Sequence, residues 1–152
     1  MSGHIDTKIF IAAPLELTWE LANSRENDRR HSTDGHLLVA ESPERNARTL
    51  RVTSPPDAQG REWQYYVERV LVPEQKVAYA RRWGNPNFRY SVALWVYREE
   101  PGGSSVRTVQ DFEMAEGAAV DDRAMEEIIL RGTERALRAT KEFVESSATQ
   151  SD

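Results

Sequence analysis

Arg69 and Arg82, with the aromatic side chains that share their segments, carry most of the chemical potential of this chain. The stretch Trp63-Gln64-Tyr65-Tyr66-Val67-Glu68-Arg69-Val70 alternates so that, as a strand, it has two chemically different faces. Trp63, Tyr65, Val67 and Arg69 share one face, aromatic at one end and cationic at the other. A strand rises ~3.3 Å per residue, so Trp63 to Arg69 spans ~20 Å, enough to line an elongated cavity. The same pattern also describes a core strand whose last arginine reaches solvent. A guanidinium keeps its charge at any working pH and presents its donors in a fixed fork. In a dry pocket its chemistry is therefore to stabilise negative charge on oxygen rather than to move protons.

Three further strands, Lys76 to Arg82, Phe88 to Arg98 and Val106 to Met114, are needed to position that face. The turns Val72-Pro73-Glu74-Gln75, Gly84-Asn85-Pro86-Asn87 and Pro101-Gly102-Gly103-Ser104 join them as a meander of hairpins. Centring each turn on these residues places Tyr65 opposite Arg82, Val67 opposite Ala80 and Arg69 opposite Ala78. The same parity puts Ser91, Ala93 and Trp95 on that face, followed by Thr108, Gln110 and Phe112. Small residues facing small residues leave space where Leu, Ile and Val would fill a packed core. The face therefore predicts a ligand cavity with polar groups from Arg69, Arg82, Thr108 and Gln110. It also turns Val92, Leu94 and Val96 outward, as a partner surface or beneath a covering helix, unless the register itself is different.

Upstream, Lys8 to Ile11 is β-prone, and Ala13-Pro14 opens a helix whose apolar stripe is Leu15, Thr18, Trp19 and Ala22, widened by Leu17 and Leu21. Asn23 and Ser24 end it. From Arg25 to Asp34 almost no side chain is apolar, which predicts an exposed turn or lid. His31, Asp34 and His36 match no helix face, so no metal site is expected there. His4 is placed at a disordered end. Leu37 to Ala40 and Arg48 to Thr53 read as strands around Glu41 to Asn46, and Ser54 to Gly60 is a second connector. A long helix is predicted from Asp121 to Glu145, with Met125, Ile129, Thr133, Ala136, Thr140 and Phe143 on one side, Ile128 and Leu137 broadening it. Gly132 at its centre marks either a close approach or a tolerated weak point.

At 152 residues the chain is read as one domain over 1–145 with a flexible polar tail over 146–152. A net charge of −5 with both signs interleaved and no basic run argues against nucleic-acid binding. The absence of cysteine excludes disulfides and thiolate metal ligands. No apolar run reaches membrane-spanning length and no secretory leader is recognisable, so a cytoplasmic protein with no membrane association is expected. Strand, short helix, antiparallel meander and long carboxy-terminal helix compose an α+β domain in which the helix closes a cavity over a curved sheet.

In this arrangement the chain resembles the START-like, helix-grip (Bet v 1-like) bacterial aromatic polyketide aromatase/cyclases, the tetracenomycin type among them. The resemblance covers nearly the whole chain and is carried by Ile11 to Trp19, Pro56 to Trp63, Trp95-Val96-Tyr97-Arg98 and Val109 to Met114. It implies a curved antiparallel sheet wrapped around the long helix with an internal cavity. It also implies an enzyme that guides a poly-β-ketone, or a partly cyclised intermediate, through regiospecific intramolecular aldol cyclisation, dehydration and aromatisation. No cofactor is implied; the substrate is carried on the phosphopantetheine arm of an acyl carrier protein. Arg81 and Arg89 are candidates for steering that acidic partner at the pocket mouth.

On this resemblance Arg69 is the catalytic group for the oxyanion, and Arg82 holds a second carbonyl or orders water for the dehydration. The substrate-binding set is Trp63, Tyr65, Val67, Phe88, Trp95, Thr108, Gln110 and Ala136. The chain departs from the family pattern at several points. Tyr65 replaces a tryptophan, Val67 a serine and Ala136 an asparagine, while Asp28, Ser32 and Gly35 replace the aromatic residues of a small lid helix. Proton transfer then falls to the substrate, water, Tyr65, or the segment holding His31, Asp34 and His36. A non-catalytic binder of an aromatic polyketide or other hydrophobic small molecule is the alternative reading. A protein-interaction module using the outward Val92, Leu94 and Val96 is a third.

Overall fold

The computed structural model describes residues 2–30, 36–53, 56 and 59–150. The strands are β1 (Gly3–Ile11), β2 (His36–Ser42), β3 (Ala47–Thr53), β4 (Gln64–Val72), β5 (Val77–Trp83), β6 (Phe88–Glu100) and β7 (Gly103–Met114). The helices are α1 (Leu15–Ala22), α2 (Arg25–Arg30) and α3 (Asp122–Gln150). All strands join one antiparallel sheet in the order β1-β7-β6-β5-β4-β3-β2. The α+β architecture is as expected. Several local features are not.

His4 is not at a frayed end. β1 pairs with β7 along its whole length, burying Ile5 while His4, Asp6 and Lys8 face water. His4 Nδ1 lies 2.7 Å from Asp111 Oδ1, and that hydrogen bond raises the imidazole pKa above its ordinary value. The tie is present at pH values below the unfolded pKa and fades as pH rises through the folded one. Arg25–Arg30 is a helix rather than a plain turn. Ser24 caps it, with Oγ accepting from the Asn27 N–H at 3.1 Å, so the residue that stops α1 also starts α2. Asp121 caps α3 through the Ala124 N–H at 2.8 Å, and α3 runs on to Gln150, past Glu145. Ile128 is 55% exposed and does not broaden the buried side, whereas Leu137, Thr140, Phe143 and Val144 are buried.

The hairpin register differs from expectation by two residues: Val67 pairs with Arg82, Arg69 with Ala80 and Leu71 with Ala78. The loop is Pro73 to Lys76, one position later than its centring on Val72 to Gln75, and Lys76 adopts a left-handed φ of 55°. A shift of two preserves facing, so the inner set is unchanged. Ala78, Ala80, Ser91, Ala93, Thr108, Gln110 and Phe112 are all buried there. On the outer face Val92 is 44% exposed, and with Val70, Tyr79, Leu94 and Val109 it lines a shallow groove of about 430 Å³.

The long helix lies on the amino-terminal side of the sheet. It packs mainly on β1, β7 and α1. Two contacts clamp its far end: the Ala12 N–H donates to Glu145 Oε2 at 2.7 Å, and Lys141 Nζ donates to the Phe10 carbonyl at 2.8 Å. The Ala12 N–H and Lys141 hold the Glu145 carboxyl below its ordinary pKa. Thr18 Oγ1, 2.7 Å from Ser104 Oγ, fixes α1 to β7. Gly132 sits near no crowding group; a Cβ there meets only Arg135, at 3.8 Å.

Candidate active site

Three apolar clusters divide the interior. One joins Ile11, Trp19, Tyr97 and Val106 to Leu137 and Val144 of α3. Another joins Ile5, Phe112 and Met114 to Phe88 and to Met125, Ile129 and Leu130 of α3. The third, Val52, Val67, Ala80 and Ala93 with Tyr65 and Trp95, contains sheet residues alone. α3 contributes to the first two clusters, and none of its residues packs in the third. Tyr65, Arg69, Arg82 and Trp95 are half-buried on this face of the sheet. Ala80 and Ala93 are small, buried members of that third cluster, whereas Ala78 packs in the first, with Trp19 and Tyr97.

The pairing places Arg69 and Arg82 on neighbouring strands as diagonal neighbours, with Cβ atoms ~7 Å apart. Arg69 Nη2 donates to Asn23 Oδ1 at 2.7 Å and to the Tyr97 hydroxyl at 3.1 Å. Its guanidinium stacks 4.3 Å from the Trp95 ring, and its Nε is buried with no hydrogen-bond partner. Arg82 Nη1 donates to Gln110 Oε1 at 3.4 Å, and Gln110 Nε2 donates to Thr133 Oγ1 of α3 at 2.8 Å. Burial lowers the Arg82 pKa; the nearby Tyr65 opposes that shift and the Arg69 charge adds to it. Among the described residues neither arginine has a carboxylate partner.

Of the other predicted residues, Tyr65, Val67, Trp95, Thr108 and Gln110 share this face of the sheet. Val67 is buried at the centre of that face, Tyr65 packs on the same cluster, and Trp95 bridges that cluster to the Trp19 end. Thr108 Oγ1 is buried without a hydrogen-bond partner. Trp63 precedes β4, with the Arg61 guanidinium 5.8 Å from its ring. Phe88 stands apart, edge-on to Phe112 at 6.0 Å in the cluster at the start of α3. Ala136 is half-buried, one turn beyond Thr133. His31, Ser32, Asp34 and Gly35 lie outside the described residues, as do the side chains of Asp28 and His36. Arg81 is on the outer face, 3.2 Å from Glu68 and stacked 4.9 Å from Trp83, so it does not share the face of Arg69 and Arg82. Arg89 is exposed and 3.6 Å from Glu113.

Asn23, Tyr97, Arg48 and Thr133 are site neighbours that sequence reasoning did not assign. Tyr97 follows Trp95 by two residues, so strand parity was a sufficient signal. Thr133 was placed on the correct side of α3 without a role. Nothing local in the sequence signals Asn23 or Arg48, which meet where Arg48 Nη2 donates to the Asn23 carbonyl at 2.5 Å.

Arg82→Met is expected to leave the fold at least as stable as wild type, measured by thermal or urea denaturation. The guanidinium is desolvated, its only described hydrogen bond is long, and an apolar side chain of similar length removes the cost of burying the charge. A fall of more than about 2 kcal/mol would show that Arg82 is compensated in a way these contacts do not contain.

An antiparallel sheet gripping a long carboxy-terminal helix, with two arginines on the inner face, defines a helix-grip, START-like fold. No protein-family model matches the chain. A "Putative polyketide cyclase" of Streptomyces cyaneus is 34% identical over 145 residues, 95% of this chain and 95% of that protein. One of the same description from Streptomyces halstedii is 32% identical over 109 residues, 72% of this chain and 100% of its own length. The crystal structure of the Zhui aromatase/cyclase from Streptomyces sp. R1128 superposes with a TM-score of 0.70 at 16% identity, over 99% of this chain and 95% of that one. The chain belongs to the polyketide cyclase family. Among the described residues no helix is long and apolar enough to cross a membrane, and no three His, Asp or Glu side chains group as metal ligands.

Proposed function

We propose that this polyketide cyclase directs regiospecific intramolecular aldol cyclisation of a poly-β-ketone or partly cyclised intermediate, followed by dehydration and aromatisation. The observation that carries the reading is the pair of guanidiniums, both without carboxylate partners among the described residues, beside Tyr65 and Trp95 on the inner face of the sheet. In the aldol step an enolate carbon attacks a ketone carbonyl carbon. A carbon–carbon bond forms and the carbonyl oxygen takes the electron pair as an alkoxide. Arg69 donates to that oxygen, which suits a group that needs no change of protonation. Arg82, backed by Gln110 and Thr133, holds a second carbonyl. Protonation of the alkoxide and loss of water leave a double bond, and enolisation of the remaining ketones completes the aromatic ring. Water, Tyr65 or the substrate itself moves the protons. Trp63, Tyr65 and Trp95 select one folding of a chain that has several ways to cyclise. The substrate arrives on the phosphopantetheine arm of an acyl carrier protein, and no other cofactor is drawn upon.

The test is product analysis of a minimal polyketide synthase supplied with carrier protein and malonyl units, with and without this protein. A new cyclised product is expected. An unchanged profile together with tight binding of finished aromatic product would favour a binding role instead, which the unpartnered Thr108 hydroxyl also suits.

A further inference from the structure

We propose that Asn23 is the positioning residue of Arg69. Its side-chain carbonyl aims the guanidinium and, being neutral, leaves the full positive charge for the substrate oxygen. The proposal rests on the reading of Arg69 as the oxyanion donor.

Asn23 is buried at the carboxy-terminal end of α1, and its polar groups are committed in a way that leaves one orientation. Nδ2 donates to the Trp19 carbonyl at 2.9 Å, and the main-chain carbonyl accepts from Arg48 Nη2. Oδ1 is thereby turned toward two donors, Arg69 Nη2 at 2.7 Å and the Tyr97 hydroxyl at 3.4 Å. Tyr97 is itself locked, its ring edge-on to Trp19 at 5.0 Å and 89°. Trp95 supplies the third side of the holder. The three groups that hold Arg69, namely Asn23, Tyr97 and Trp95, are all uncharged.

The contrast with the surface is informative. Arg25, Arg81 and Arg107 each pair with a carboxylate, on Glu41, Glu68 and Asp6 respectively. A carboxylate beside Arg69 would hold it as firmly but would neutralise it, and a neutralised guanidinium stabilises an alkoxide poorly. An amide gives direction without compensation. Arg69 Nε, buried and unpartnered, is also hard to reconcile with a purely structural arginine, since such groups are ordinarily satisfied.

The test uses the whole chain and 2-naphthol as an oxyanion probe, titrated across pH with phenol and phenolate distinguished by absorbance. A charged Arg69 lowers the pKa of the bound naphthol, so wild type is expected to prefer the phenolate, and Arg69→Ala to lose that preference. Asn23→Ala is expected to weaken phenolate binding about tenfold or more while changing neutral naphthol binding little. Asn23→Asp is the decisive variant. It keeps an acceptor toward Arg69, gives up the Nδ2 donor to the Trp19 carbonyl, and is expected to stay folded yet to lose the phenolate preference as fully as Asn23→Ala. A residue that merely supported the fold would predict the reverse, with Asn23→Asp behaving as wild type. Retention of the wild-type preference in Asn23→Asp overturns this proposal alone. No preference in wild type, or its persistence in Arg69→Ala, overturns the reading of Arg69 and this proposal with it.

Discussion

Arg69→Ala is expected to cut formation of the directed cyclisation product by ~100-fold or more, the range seen when one preorganised oxyanion donor is removed. The chain would remain folded. Truncation removes the guanidinium, while Asn23 Oδ1 and the Tyr97 hydroxyl keep each other as partners at 3.4 Å. No acceptor is orphaned, and an uncompensated buried charge leaves with the side chain. Rate and stability should therefore separate: product ratio by chromatography falls steeply, and the melting midpoint moves little. An unchanged product distribution in the reconstituted pathway would sink the mechanism proposed for Arg69.

Phe112→Ala should do the opposite, costing about 3–5 kcal/mol of stability, the range for deleting a fully buried aromatic side chain. Phe112 is completely buried, packs with Ile5, Met114, Met125 and Ile129, and meets Phe88 edge to face. Its ring lies directly over Gly3, where any Cβ would collide with it. Gly3 has no side chain with which to fill the vacated space, and the β1–β7 pairing of Gly3 with Phe112 holds the two backbones apart. At ~2–4 °C per kcal/mol for a chain of this size, the midpoint should drop by ~6–20 °C. A loss below about 1 kcal/mol in a urea melt would mean that the amino-terminal end of α3 collapses onto the sheet, and that this cluster is softer than its burial implies.

Much of the site was legible because strand alternation is a local property. Trp63, Tyr65, Val67 and Arg69 share a face whatever they pair with, and turn chemistry carried the same parity onto Ala80, Arg82, Ala93 and Gln110. The exact pairing was not legible. The left-handed Lys76 ends the β4–β5 loop one position later than the residue types indicate, which moves the register by two. The second helix was missed because Ser24 serves two neighbouring elements, stopping one and capping the next. β1 was read short because the polar residues His4 and Asp6 look like a loose terminus until Asp111 and Arg107 stand opposite them.

The amino-acid sequence by itself determined the class of domain, the two-faced strand and the side on which its arginines point. These follow from periodicity, turn residues and side-chain size, which act between near neighbours in the chain. Only the tertiary structure decided that α3 packs on β1, β7 and α1, and which partner each arginine takes. Asn23 meets Arg69 across 46 residues of sequence. That meeting depends on where the end of α1 lands above β4, and so does the charge left uncompensated at the site. Such placement is set by packing among distant elements, for which no local pattern in the chain is a sufficient cause.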